Sequence, residues 1–137
     1  MTPRSVLIVD DEPAILDLWS TFLVDAGYLV ARAADAFAAL RVLTSSRPTV
    51  AICDVHMPGP SGIWLADAIR EQSPATAIIL ATGDSFVPPR ETLRPAVVAY
   101  LLKPTCREEL LDAVRTGVAW SVGRTLALPP GGDPPIR

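Results

Sequence analysis

Four short apolar runs in this chain each stop on a residue that carries chemistry. Val6–Val9 runs into Asp10 and Asp11, Val50–Cys53 into Asp54, Ala77–Ala81 into Thr82, and Val97–Leu102 into Lys103 and Pro104. Short apolar runs bounded by polar or turn residues read as strands buried on both faces, the pattern of a parallel sheet. Open parallel α/β sheets bind their ligands beyond the carboxyl ends of the strands. Three carboxylates, a hydroxyl and an ammonium are therefore expected to meet at one edge. Such a set suits a divalent cation beside a phosphoryl group.

Helical stretches fill the gaps between these runs. Strand one spans 5–10, and a first helix is expected over 13–26. Asp11 or Glu12 lies near its cap, and Pro13 sits in its first turn, where proline is tolerated. Ile15, Leu18, Phe22, Leu23 and Ala26 recur at three- and four-residue spacing and form its expected inward stripe. Gly27 follows as a C-terminal cap, and Tyr28–Ala31 reads as strand two. Asp35 is the expected N-cap of a second helix ending at Thr44. The Met57–Gly62 loop is closed to helix by its prolines. A third helix is expected over 63–72, burying Ile63, Leu65, Ala66 and Ile69. A last helix over 107–120 buries Leu110, Ala113, Val114 and Gly117. Alternating strands and helices define an α/β, flavodoxin-like, doubly wound five-stranded parallel sheet with expected order 2-1-3-4-5. That order makes strands one and three neighbours, so Asp10, Asp11 and Asp54 share a pocket.

The chain's 137 residues, half of them hydrophobic, suffice for one domain with a real core. No apolar run reaches transmembrane length, and Met1–Arg4 does not open a signal peptide. A cytoplasmic location is expected, without membrane contact. The net charge of −3 argues against direct nucleic-acid binding by this domain. Cys53 and Cys106 are too few and too separated for a disulfide scaffold or a zinc site. Eleven arginines stand beside a single lysine, and that lysine ends an apolar strand. After residue 122 the chain loses periodicity, so 4–122 is read as the folded domain and 123–137 as a Pro/Gly-rich flexible tail or linker.

Clustered carboxylates repel one another and raise each other's proton affinity. A hard divalent cation relieves this, and oxygen ligands suit magnesium. Asp54 could then act as a nucleophile toward phosphorus, with Thr82 and Lys103 holding the remaining phosphoryl oxygens. Each residue alone has a plainer reading. Asp10, Asp11 and Glu12 can cap a helix, Asp54 can start a turn, and Tyr100 can be a half-buried strand residue. Their joint placement at strand ends is what selects the site.

Taken together, Val6–Glu12, Asp54–Pro58 followed by Gly62, Ile79–Gly83 and Tyr100–Pro104 resemble the receiver domain of two-component response regulators. The resemblance covers about residues 4–122. It implies that Asp54 is the phospho-acceptor, loaded from a sensor histidine kinase or phosphotransfer protein, in a signalling domain rather than a metabolic enzyme. It implies Mg²⁺ bound by Asp11, Asp54 and the backbone carbonyl of His56, with Asp10 acting through water. Thr82 and Lys103 would hold the phosphoryl group. Tyr100 would be the aromatic switch that turns inward when Thr82 moves, and the Lys103–Pro104 bond would be cis.

Two features depart from that pattern. Pro88, Pro89 and Pro95 leave room only for a shortened or irregular fourth helix, and Pro95–Ala96–Val97 replaces the Gly-Ala that relatives often carry before strand five. Trp19, Trp64 and Trp120 all fall off the inward stripes, which suggests a docking surface or a homodimer. The competing functions are a phosphorylation-independent receiver-like scaffold, a Mg²⁺-dependent aspartate-nucleophile phosphatase and a flavin or nucleotide carrier. The separation of Asp54 from Asp10 and Asp11 speaks against the phosphatase. The acids after strand one speak against a phosphate cradle there.

Overall fold

The computed structural model describes residues 3–83 and 94–127. Five strands alternate with helices: β1 (Ser5–Val9), α1 (Pro13–Asp25), β2 (Leu29–Ala33), α2 (Ala36–Ser45), β3 (Val50–Asp54), α3 (Gly62–Gln72), β4 (Ala77–Thr82), β5 (Val97–Leu102) and α4 (Arg107–Ala127). All four strand pairings are parallel, and the sheet order is β2-β1-β3-β4-β5. The expected fold and strand order are both present. The shortened fourth helix expected between β4 and β5 falls on residues outside those described.

Alternation along each strand explains the unbroken apolar runs. Val6, Ile8, Val50, Ile52 and Ile79 face one layer with Leu16, Trp19 and Leu23 of α1 and Leu110 and Val114 of α4. Leu7, Val9, Ala51, Cys53, Ile78 and Leu80 face the other, with Ala39 and Leu43 of α2 and Leu65 and Ile69 of α3. Helices cover both faces, so a polar residue on either side of β1, β3 or β4 would be buried. Full burial of each leucine or isoleucine contributes about 2 kcal/mol.

The inward face of α1 differs from the expected stripe. Leu16, Trp19 and Leu23 are buried, Ile15 and Phe22 are partly buried, and Leu18 and Ala26 are exposed. The two candidate stripes are offset by one residue and share the same three-and-four spacing. The indole settles the choice, because its large apolar surface favours full burial. Trp19 is therefore a core residue rather than part of a docking face. Trp120 is half-buried against the core and lies under Arg124, whose guanidinium carbon is 5.7 Å from its ring. Trp64 alone of the three is exposed, meeting Phe37 edge-to-face at 6.0 Å. The three tryptophans thus do not form one surface.

The helix ends follow their sequence signals closely. Asp35 caps α2 by accepting from Ala38 N at 2.8 Å, and Ser61 caps α3 by accepting from Trp64 N at 3.1 Å. Glu12 holds the N-cap position of α1 without a side-chain bond, and Pro13 follows it. Strand β2 starts and ends later than expected, and α3 starts one residue earlier, at Gly62. Helix α4 continues to Ala127, so residues 123–127, expected in the tail, are helical. Gly123 does not break it, since an isolated helical glycine costs only about 1 kcal/mol. The rest of the expected tail lies outside the described residues.

Candidate functional site

Register brings the strand-terminal residues to one edge. Val9 pairs with Cys53, so Asp10 and Asp54 emerge side by side. Asp54 pairs with Ala81 and Thr82 with Leu102, which sets Lys103 next along. The loops are tied back to the sheet. Asp10 N donates to Ala33 O at 3.1 Å, Val55 N to Ala81 O at 2.8 Å, and Lys103 N to Thr82 O at 2.8 Å.

Asp10 is fully buried and spans two partners. Its Oδ1 accepts from Glu12 N at 2.9 Å, and its Oδ2 accepts from Lys103 Nζ at 2.6 Å. The same ammonium lies 3.3 Å from Asp54 Oδ2. Asp54, 5 % exposed, accepts from His56 N through Oδ1 at 3.2 Å. Asp11 is exposed at the mouth. One carboxylate oxygen from each of Asp10, Asp11 and Asp54 lies within 4.8 Å of the others. Thr82 is half-buried at the end of β4, and the Lys103–Pro104 bond is cis, as the resemblance implied.

Burial raises the proton affinity of Asp54, and the negative charge of Asp10 adds to this. The ammonium of Lys103 and the His56 N–H oppose the shift without cancelling it. For Lys103, burial disfavours the charged form, but the bond and charge of Asp10, then those of Asp54, outweigh it and hold its pKa above the usual lysine value. Cys53 is pushed up to about 12, first by burial and then by the Asp54 charge, and is an inert apolar filler.

Three carboxylates against one ammonium leave the pocket with an excess of negative charge. All the donors its three carboxylates offer are oxygens, the ligand type that hard divalent cations take. The donor set and the uncompensated charge fit a hard divalent cation.

The backbone around Asp54 depends on a glycine. Gly62 N donates to Val55 O at 3.0 Å, and a Cβ built on Gly62 would stand 2.2 Å from Asp54 O. Only a residue without a side chain lets α3 begin this close to the strand. The spacing from Asp54 to Gly62 was visible in the sequence, but the close approach was not.

Tyr100, on edge strand β5, is 51 % exposed. Sequence reasoning missed one neighbour of the site. Trp19 places its ring 6.0 Å from Lys103 Nζ. Its helical spacing from Leu16 and Leu23 was the available signal, hidden by the competing stripe.

A five-stranded 2-1-3-4-5 sheet with an acidic pocket and a buried lysine at its carboxyl edge is the flavodoxin-like arrangement, with its polar residues gathered where such sheets bind ligands. The chain belongs to the response regulator receiver domain family, whose sequence model matches residues 6–115. It is 31 % identical over 114 residues to the probable transcriptional regulatory protein TcrX of Mycobacterium tuberculosis, across 82 % of this chain and 49 % of that protein. The chain thus spans between about a quarter and a half of the length of the curated relatives it matches. A CheY-like receiver domain protein of Methanospirillum hungatei JF-1 superposes with a TM-score of 0.84 at 27 % identity, covering 90 % of this chain and 99 % of that one. The response regulator TrrA of Thermotoga maritima, solved in complex with Mg(2+)-BeF, superposes with a TM-score of 0.76 at 32 % identity, covering 83 % and 98 %. This is a signalling domain rather than a metabolic enzyme. Among the described residues no helix is long and apolar enough to cross a membrane.

Proposed function

We propose that Asp54 accepts a phosphoryl group from a phosphohistidine on a sensor kinase or phosphotransfer protein, and that Mg²⁺ assists. The observation that carries this reading is the shared position of Lys103 Nζ, 2.6 Å from Asp10 Oδ2 and 3.3 Å from Asp54 Oδ2. A cation beside the Asp54 carboxylate supports this reading, because a phosphoryl group there would carry negative charge.

In the reaction a carboxylate oxygen of Asp54 forms the new P–O bond. The P–N bond of the donor breaks, and the imidazole leaves with its electron pair. The attacking species is the carboxylate form of Asp54, so the step itself needs no general base. Asp11 and Asp54, with the His56 carbonyl, would hold the cation, and Asp10 would reach it through water. The metal supplies charge neutralisation at the phosphoryl oxygens. Thr82, closing β4, and Lys103, following β5, would take the other phosphoryl oxygens. Tyr100 would report that occupancy on edge strand β5, where a downstream partner or output domain can read it. Later attack of water on phosphorus would reset the switch without a further enzyme.

The test is intact mass after incubation with Mg²⁺ and acetyl phosphate. Wild-type protein gains one phosphoryl group and Asp54→Asn gains none. An equal adduct on both proteins overturns the assignment.

A further inference from the structure

Lys103 is the only lysine of the chain, and its ammonium is nearly enclosed. A lysine stem has four flexible carbons, so the position of the ammonium must be set by what surrounds it. The group has three N–H donors. Asp10 Oδ2 takes a short contact at 2.6 Å, and Asp54 Oδ2 stands at 3.3 Å. The Trp19 ring lies 6.0 Å from the nitrogen. That ring is itself immobile, 2 % exposed and packed in the core between α1 and the sheet.

We propose that Trp19 is a positioning residue for Lys103, its indole forming an electron-rich wall that keeps the ammonium within reach of a phosphoryl group on Asp54. This deepens the phospho-acceptor reading and rests on it. The two carboxylates attract the ammonium by charge, and Asp10, the closer one, would draw it off centre. An aromatic face provides a third favourable contact without a counter-charge and without water. When a phosphoryl oxygen arrives, the lysine can turn toward it and lose only a weak contact. At 6.0 Å the ring is at the outer reach of such an interaction, which suits a wall rather than a trap. An aliphatic residue in place of Trp19 fills core space but offers no such face.

The experiment is a double-mutant cycle on phosphorylation by acetyl phosphate and Mg²⁺, with rates from intact mass and folding checked by thermal melting. Trp19→Leu is expected to slow phosphoryl uptake about three- to tenfold, with Trp19→Phe closer to wild type. In the Lys103→Met background the same Trp19→Leu change has no further effect. An equal fold-loss in both backgrounds, or a full rate in folded Trp19→Leu, overturns the proposal. A second arm needs no change at residue 19 and no turnover. In a protein carrying Trp64→Phe and Trp120→Phe, adding Lys103→Met shifts the emission of Trp19; unchanged emission overturns the proposal. Failure of wild-type protein to take up phosphate would instead count against the acceptor reading, leaving the emission arm to decide the contact.

Discussion

The ammonium of Lys103 lies 2.6 Å from Oδ2 of Asp10, a carboxylate fully shielded from solvent, across 93 residues of sequence. Nothing else seen among the described residues neutralises Asp10. Lys103→Met would leave that charge buried and unpaired, at a cost of about 3 kcal/mol. Lys103 has its pKa raised above 10.5, so the stabilising pair is fully formed at neutral pH and is lost only as pH rises through the folded value. Urea unfolding at pH 7 should show the loss in the metal-free variant. Magnesium should recover part of it, and a chelator should remove that gain.

Asp54 carries the opposite sign of linkage. Burial first, and the Asp10 charge second among the raising causes, lift its folded pKa above 3.8. The folded protein then holds a proton that the unfolded chain has released, so stability falls as pH rises through this window. Asp54→Asn lacks that dependence. It should melt a few degrees higher than wild type at pH 7 without metal, with the difference vanishing below the unfolded carboxylate value. Thermal melts from pH 3 to 7 measure it; a difference independent of pH would contradict the linkage.

Gly62→Ala should harm both fold and site. The added Cβ would meet Asp54 O at 2.2 Å and Asp54 C at 2.8 Å, both backbone atoms that cannot swing away. We expect a loss of about 2 kcal/mol in denaturant unfolding, as for an overpacked core. Phosphoryl uptake should fall with it, because relief of the clash displaces the acceptor.

Ala96→Gly should do the reverse. Ala96 precedes β5 with φ of 76°, in the left-handed region that a Cβ disfavours. Its carbonyl accepts from Ile78 N at 2.8 Å, so strand pairing holds it there. Glycine removes the strain, for a gain of about 1 kcal/mol after its own entropic cost. A raised denaturation midpoint with unchanged slope would show it.

The site was legible because its residues sit at strand ends. Asp10, Asp11, Asp54, Thr82 and Lys103 each follow an apolar run, and parallel strands bring such ends together whatever lies between. The cap at Asp35 is similarly local, since a side chain bonding three residues ahead needs no partner from elsewhere; Ser61 caps α3 in the same way, a signal the sequence reading passed over. Helix α1 shows where local reading stops. Two stripes shared one spacing, and only the sheet beneath chose the one with Leu16, Trp19 and Leu23.

By itself, then, the order of residues determined the strands, their succession and the polar group at each carboxyl end, because these follow from periodicity and from backbone chemistry acting over a few residues. Tertiary structure alone decided that Trp19 turns inward beneath Lys103, that Gly62 brings α3 against Asp54, and that one ammonium is shared between Asp10 and Asp54. Those are packing outcomes. They depend on how closely distant segments approach, and no spacing along the chain encodes that distance.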